Sequence, residues 1–146
     1  MFRLSLVLFV LPVASLAAQP RVVAYDDPLP YGQSPVDYLG DATADPVARL
    51  DARLASGKTT LRVVPRRGYL DSVLGCLDVP VSSQLLVYSK TAVNQRLVTP
   101  KTPRAIYFND EVSVAWVPGT AELELMAFDP LKGAMFYVLQ QPDGAA

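Results

Sequence analysis

The chain has 146 residues, 13 of them basic and 14 acidic, with no histidine and a single cysteine. The absence of histidine excludes a Ser-His or Cys-His catalytic pair and imidazole ligands to zinc or haem, and one thiol cannot form an intrachain disulfide. Charges of both signs are interspersed, which does not indicate a surface for nucleic acid or for an anionic membrane.

The first 18 residues have the pattern of a signal peptide. Arg3 precedes an apolar run over 4–13, and the small residues Ala17 and Ala18 end the segment. The run is shorter than the ~20 residues that a membrane-spanning helix needs. We therefore expect cleavage after Ala17 or Ala18, a periplasmic or secreted bacterial protein, and no membrane insertion of the mature chain.

Residues 19–44 form a Pro/Tyr-rich N-terminal arm without helical or strand periodicity. Its three tyrosines suggest that it packs against the following domain, because aromatic side chains gain free energy from burial. We expect that domain to span 45–141, followed by a short tail over 142–146.

Two short helices are predicted after the arm. Asp45 suits the N-cap of a helix over 46–56, whose apolar residues share one face, and Gly57 suits its C-terminal end. Apolar residues recur at helical spacing over 69–77 and predict the second helix. Cys76 lies among them, so we expect a buried thiol and not a nucleophile.

The remaining apolar segments are typical of strands. Residues 60–64 are short and β-rich, and the continuous apolar run over 84–89 predicts a central strand that is buried on both faces. Residues 90–103 are polar and contain two prolines, which predicts a connecting loop. Alternation then predicts four sequential strands, over 104–108, 111–117, 122–128 and 134–140. The expected fold class is α+β, an antiparallel meander of about five to six strands with two short helices.

The stretch RAIYFNDEVSVAWV contains the first predicted hairpin turn. Asn109 and Asp110 tolerate left-handed backbone, which favours a two-residue turn with Tyr107 opposite Val112. A three-residue loop with Phe108 opposite Val112 is the alternative.

The same stretch contains most of the candidate binding residues. In a functional interpretation, a ligand contacts Asn109 and Asp110 of the turn together with Lys90, Arg104 and Trp116. In a structural interpretation, the polar residues form the turn and Trp116 belongs to the core. The structural interpretation is favoured, because turn chemistry accounts for the polar residues.

Paired carboxylates are the main sign of a possible enzyme. Glu122 and Glu124 lie two residues apart on a predicted strand, so they point to one face and could act in a hydrolase. Their alternation with leucines is also what a sheet with one solvated face shows. The chain has no phosphate-binding glycine loop, CxxC motif or calcium loop. We expect a non-catalytic module without catalytic residues, metal or other cofactor.

Several stretches resemble one protein family, above all SQLLVYSKT and PRAIYFNDEV, with FDPLKGAMFYVLQQ near the end. They are similar to the N-terminal module of a family of large, uncharacterised exported bacterial proteins, which in longer members precedes a c-type cytochrome region. The resemblance implies association with a haem-bearing electron-transfer protein. This chain lacks the Cys-x-x-Cys-His motif, so any haem would belong to the partner. The alternatives are a small-ligand or glycan-binding domain and a carboxylate-based hydrolase.

Overall fold

The computed structural model describes residues 34–142, and the predicted signal peptide and the larger part of the arm lie outside this range. The described residues form one five-stranded antiparallel sheet and two α-helices, which confirms the predicted α+β class. The helices are α1 (Pro46–Ala55) and α2 (Leu70–Cys76), and the strands are β1 (Leu85–Val87), β2 (Arg104–Phe108), β3 (Val112–Trp116), β4 (Glu122–Asp129) and β5 (Gly133–Gln140). The spatial order of the strands is their order in the chain, so the sheet is a meander.

Helix α1 begins at a buried carboxylate, as predicted. The side chain of Asp45 accepts hydrogen bonds from the backbone N–H groups of Val47 at 2.8 Å and Ala48 at 3.1 Å, which are otherwise unpaired at a helix start. It also accepts a hydrogen bond from the hydroxyl of Tyr137 on β5. Gly57, with φ of +70°, follows the C-terminal end. Asp45 therefore both caps the helix and fixes it to the sheet.

The hydrophobic core lies between the two helices and one face of the sheet, which we call the inner face. Tyr107 of β2 is fully buried there, and its hydroxyl accepts a hydrogen bond from Gln84 at 2.7 Å. Trp116 packs at the margin of the core, where the Arg67 guanidinium lies 5.9 Å from its ring centroid. The buried core residues are Val47, Leu50, Leu70, Val73, Leu74, Leu77, Val79, Ala105, Tyr107, Val112, Val114, Leu123, Leu125 and Ala127. Each large side chain among them contributes about 1.5–3 kcal/mol through burial.

The strand predicted over 60–64 is wrong. Val64 bridges only to Gly68, and the turn between them contains Arg66 with φ of +67°. Residues 60–63 form no bridge to any described strand, so the segment is not part of the sheet. The side chain of Leu61 packs against the core. High β-propensity here reflects a half-buried surface and not a ladder of hydrogen bonds.

The prediction of a central strand over 84–89 is also wrong. Strand β1 has three residues, pairs only with β2 and lies at the edge of the sheet, with Leu85 and Leu86 about half exposed. A continuous apolar run is typical of a strand that is covered on both faces. It does not determine the position of that strand in the sheet, which depends on how the later strands are connected. The chain leaves β1 through the predicted loop and returns as β2, and the meander then continues away from β1.

The hairpin between β2 and β3 has neither predicted register. Phe108 pairs with Ser113, which shifts the turn one residue toward the C-terminus. The side-chain oxygen of Asn109 accepts hydrogen bonds from the backbone N–H groups of Glu111 at 3.0 Å and Val112 at 2.8 Å. Asn109 thus closes the turn with its side chain. The turn needs no left-handed residue, since Arg66 and Asp78 are the non-glycine residues with positive φ in the range 34–142.

The described end of the arm is attached to the turn between β4 and β5. The backbone N–H of Asp37 donates to the carbonyl of Leu131 at 3.2 Å, and that of Ala44 donates to Asp129 at 2.7 Å. Tyr38 is 53% exposed, so its burial is not what holds the arm, in contrast to the prediction. Tyr25 and Tyr31 lie outside the described residues.

Candidate functional site

The face of the sheet opposite the helices, here called the outer face, is covered over only part of its area. The loop over 88–103 crosses one end of it, and a small buried cluster of Ala92, Val98 and Val117 lies beneath this loop. At that end the outer face is therefore a second, smaller packed layer. The predicted loop assignment is confirmed, with one short 3₁₀ turn at Gln95–Leu97.

Carboxylates of β4 hold this loop in place. Glu124 accepts a hydrogen bond from the backbone N–H of Val93 at 2.7 Å and forms an ion pair with Arg104. Glu122 accepts a hydrogen bond from the side-chain amide of Asn94 at 3.0 Å. Each carboxylate is thus engaged in fixing a loop. The predicted solvated strand face is absent at this point because the loop covers it.

The other end of the outer face exposes a group of apolar side chains, with Ser113 of β3 among them. Cross-strand pairing places Phe108, Ser113, Met126 and Phe136 side by side across β2, β3, β4 and β5. We call the apolar part of this region the outer apolar face, which consists of Phe108, Met126, Phe128, Phe136 and Val138. The exposed fractions are 47% for Phe108, 54% for Phe128, 78% for Phe136 and 50% for Val138.

The structure does not bring the five sequence-predicted site residues together. Arg104 and Asn109 lie at opposite ends of β2, about 17 Å apart at the usual rise of an antiparallel strand. Trp116 pairs with Ala105 on the inner face, opposite to Arg104. Lys90 is exposed in the loop, next to Thr91, whose hydroxyl accepts a hydrogen bond from Arg104 at 3.2 Å.

Two of these residues form structural contacts with other elements of the fold. The amide of Asn109 donates to the carbonyl of Leu77 at 3.1 Å, which fixes the hairpin turn to the end of α2. Arg104 is mostly buried between the loop and β4, and its Nε is buried without a hydrogen-bond partner. Asp110 is exposed in the turn between β2 and β3.

Sequence reasoning missed the aromatic residues of the outer apolar face. One signal was available, because β5 reads GAMFYVLQ and has no polar residue between Ala134 and Leu139. A strand of a sheet with one solvated face should alternate apolar and polar residues. The lack of alternation predicts either a second covering layer or an exposed apolar surface, and the structure shows exposed phenylalanine.

Two concave regions lie on the helix side of the sheet. A groove of about 430 Å³ is lined by Arg49 and Arg53 of α1 together with Asp78 and Glu111, so its charges are mixed. Cys76 also lines it and is partly exposed, which corrects the expectation of a buried thiol. The backbone carbonyl of Cys76 accepts a hydrogen bond from Arg53 at 3.1 Å.

A second cleft, of about 400 Å³, lies between α1 and β5. Leu50, Leu54, Leu125 and Leu139 provide apolar walls, and Tyr137 lines it as well. Burial, and then the hydrogen bond to Asp45, raises the pKa of the Tyr137 phenol to about 12.

Asp129 holds the turn between β4 and β5 and the described end of the arm. Its carboxylate accepts backbone hydrogen bonds from Ala44 at 2.7 Å, Leu131 at 2.8 Å and Lys132 at 3.0 Å. These bonds, that from Ala44 above all, lower the pKa of Asp129 below its usual value, because they stabilise the charged form.

Within residues 34–142 there is no group of three or more Cys, Asp and Glu residues arranged to hold a metal ion. The helices in the same range are all too short or too polar to cross a membrane. Comparisons of the chain with protein-family models, curated proteins and solved structures found no match. The family resemblance described above therefore stays a prediction.

Proposed function

We propose that this chain is an exported, non-catalytic module that docks on a partner protein through the outer apolar face. The main support for this proposal is that Phe108, Phe128 and Phe136 are exposed on one uncovered area of the sheet. At the usual side-chain areas, these three rings present roughly 350 Å² of apolar surface to water. An exposed patch of this size marks an interaction site more often than a random surface does, and aromatic residues are enriched in protein interfaces.

The arrangement of the acidic residues supports a non-catalytic role. A carboxylate-based hydrolase needs two carboxyl groups that converge on a cleft. Glu122 and Glu124 instead bind the loop that covers them, and Glu124 also forms an ion pair with Arg104. Neither side chain points into the groove or the cleft on the helix side.

The proposed partner is a c-type cytochrome in the same exported compartment. This choice rests on the resemblance to modules that precede a cytochrome region and on the signal-peptide pattern of residues 1–18. The size of the outer apolar face agrees with it, because electron-transfer complexes bury small interfaces, below about 1,200 Å² in total. Haem would be contributed by the partner.

The test is the affinity of the mature chain for purified c-type cytochromes of its native host, measured by isothermal titration calorimetry. The variant Phe108→Ser/Phe128→Ser removes two rings from the outer apolar face, and Val63→Ser is the matched control. Val63 is half exposed, as Phe128 is, but lies in the segment between the helices. We expect the double variant to bind about tenfold or more weakly and the control to bind like the wild type. No binding by the wild type, or equal binding by the double variant, would refute the proposal.

A small apolar ligand in the cleft between α1 and β5 is the second candidate function. The cleft volume of about 400 Å³ lies in the range of small-molecule sites, and its walls are mainly apolar. Titration with a fluorescent fatty acid tests it, since Leu54→Trp should fill the cleft and abolish binding. A glycan has less support, because the phenylalanines of the outer apolar face cannot hydrogen-bond to sugar hydroxyls.

A further inference from the structure

Strand β5 is a long edge strand without the usual protection. Among the described residues it pairs only with β4, and its eight residues leave one side of the backbone without a partner strand. Proteins commonly block such edges with proline, lysine, other charges or bulges. The sequence GAMFYVLQ contains none of the charged residues and no proline. This edge therefore retains the ability to accept another strand.

The opposite edge of the sheet differs in this respect. Strand β1 has only three residues, and the chain turns away from it into the loop that contains Lys90. The described end of the arm forms its backbone hydrogen bond with Leu131, before β5 begins, and none with the backbone of β5. Its Thr43 contacts β5 only through the side chain of Tyr137, on the inner face. The capacity for strand addition is thus concentrated at β5.

We propose that β5 pairs antiparallel with β5 of a second copy of this chain about a two-fold axis. A two-fold axis brings the residues at the centre of the paired strand close to their own copies, so that a charge there would lie next to a like charge. The absence of charge in β5 meets this requirement. An axis perpendicular to the sheet also keeps both outer faces on the same side. Phe136 then lies opposite either its own copy or Val138, and the two outer apolar faces become continuous.

The expected dimer is weak. An eight-residue strand is about 27 Å long, and its pairing covers roughly 500 Å² per copy, less than the ~800 Å² per partner of a stable interface. We therefore expect an equilibrium between monomer and dimer that shifts over the micromolar range. This inference does not depend on the proposed cytochrome partner.

The test combines sedimentation velocity with amide hydrogen exchange, measured by NMR on the mature wild-type chain at several concentrations. We expect dimer formation at high concentration, with alternate amides of β5 becoming protected in parallel. Val138→Lys should abolish both effects, because it places a charge at the seam. Leu86→Lys on β1 is the control, with an exposed fraction of 48% against 50% for Val138, and should behave like the wild type. Ala134→Lys serves as a second seam variant if Val138→Lys does not fold.

Three results would overturn the inference. The first is a monomer at every concentration with freely exchanging β5 amides. The second is a monomer whose β5 amides are protected at low concentration, which would mean that another segment of the same chain covers the edge. The third is a dimer that survives both seam variants, because its interface would then lie elsewhere.

Discussion

At the residue scale, Asn109 shows how one side chain can determine a turn. Its oxygen accepts two backbone hydrogen bonds inside the turn, and its amide donates to the end of α2. The sequence indicated a turn at this position, but the register followed from a contact with Leu77, which is 32 residues away. A local pattern cannot specify such a contact.

We expect Asn109→Ala to lower the free energy of unfolding by about 1–3 kcal/mol, because it removes the partly buried hydrogen bonds to the N–H of Val112 and the carbonyl of Leu77. Asp110→Ala is the control, since Asp110 is exposed in the same turn, and we expect it to be nearly neutral. Urea denaturation of both variants measures the difference. Equal effects of the two substitutions would show that the side-chain bonds of Asn109 do not hold the turn.

The hydrogen bond between Tyr137 and Asp45 should be visible in the pH dependence of stability. The pKa of Tyr137 is raised from 10.0 to about 12 by burial and by this bond, so the folded state holds the phenolic proton more tightly than the unfolded state. The resulting stabilisation is present below pH 10 and is lost as the pH rises toward 12.

Tyr137→Phe removes this contribution. We expect the variant to be less stable than the wild type at neutral pH, with a difference in the free energy of unfolding that shrinks between pH 10 and 12. Denaturation curves at a series of pH values provide the measurement. Comparison with the wild type cancels the titration of other tyrosines and of lysines. A difference that stays constant up to pH 12 would contradict the role given to this bond.

At the element scale, the sequence predicted those elements whose signals are local. Helix α1 has its cap, its apolar face and its terminal glycine within 45–57, and the prediction is confirmed. The four strands of the meander are also confirmed, because each alternates and is bounded by turn residues. The failures concern pairing. Residues 60–64 had strand composition without a partner strand, and β1 had the composition of a central strand at an edge position.

The candidate site could be predicted only in part, for the same reason. The sequence-predicted site residues are Lys90, Arg104, Asn109, Asp110 and Trp116. The fold distributes them over two faces of the sheet and both ends of β2. The outer apolar face is assembled from β2, β4 and β5 by pairing. The outer apolar face is exposed because the loop over 88–103 covers only the other end of the outer face.

The loop itself provides a test at this scale. Glu124→Gln weakens the contacts to Arg104 and Val93, so the loop should detach more often. We expect trypsin to cut the native variant several-fold faster than the wild type, at Lys90, Arg96 or Lys101. Glu111→Gln, in an exposed turn, should leave the rate unchanged. An unchanged rate in Glu124→Gln would show that other contacts hold the loop.

At the scale of the whole molecule, the two faces of the sheet have different tasks. The inner face buries the core against the helices, and substitutions there should act on stability. The outer face is only partly covered by a loop and leaves its phenylalanines in contact with water, which does not help the isolated chain to fold. The proposed docking function explains why this surface is exposed. Pairing of β5 between two copies would enlarge the surface.

The two methionines of β4 and β5 provide the most direct test of the docking proposal. Met126 belongs to the outer apolar face, whereas Met135 pairs with the buried Ala127 and faces the core side of the sheet. In the chain that the expected cleavage after residue 18 would leave, which lacks Met1, the methionine methyl groups are labelled with ¹³C and Met126→Leu assigns the two signals. On titration with the purified c-type cytochrome, we predict that the Met126 signal shifts or broadens while that of Met135 stays in place. A cytochrome complex in which Met126 is unaffected, or in which Met135 alone responds, would contradict docking through the outer apolar face.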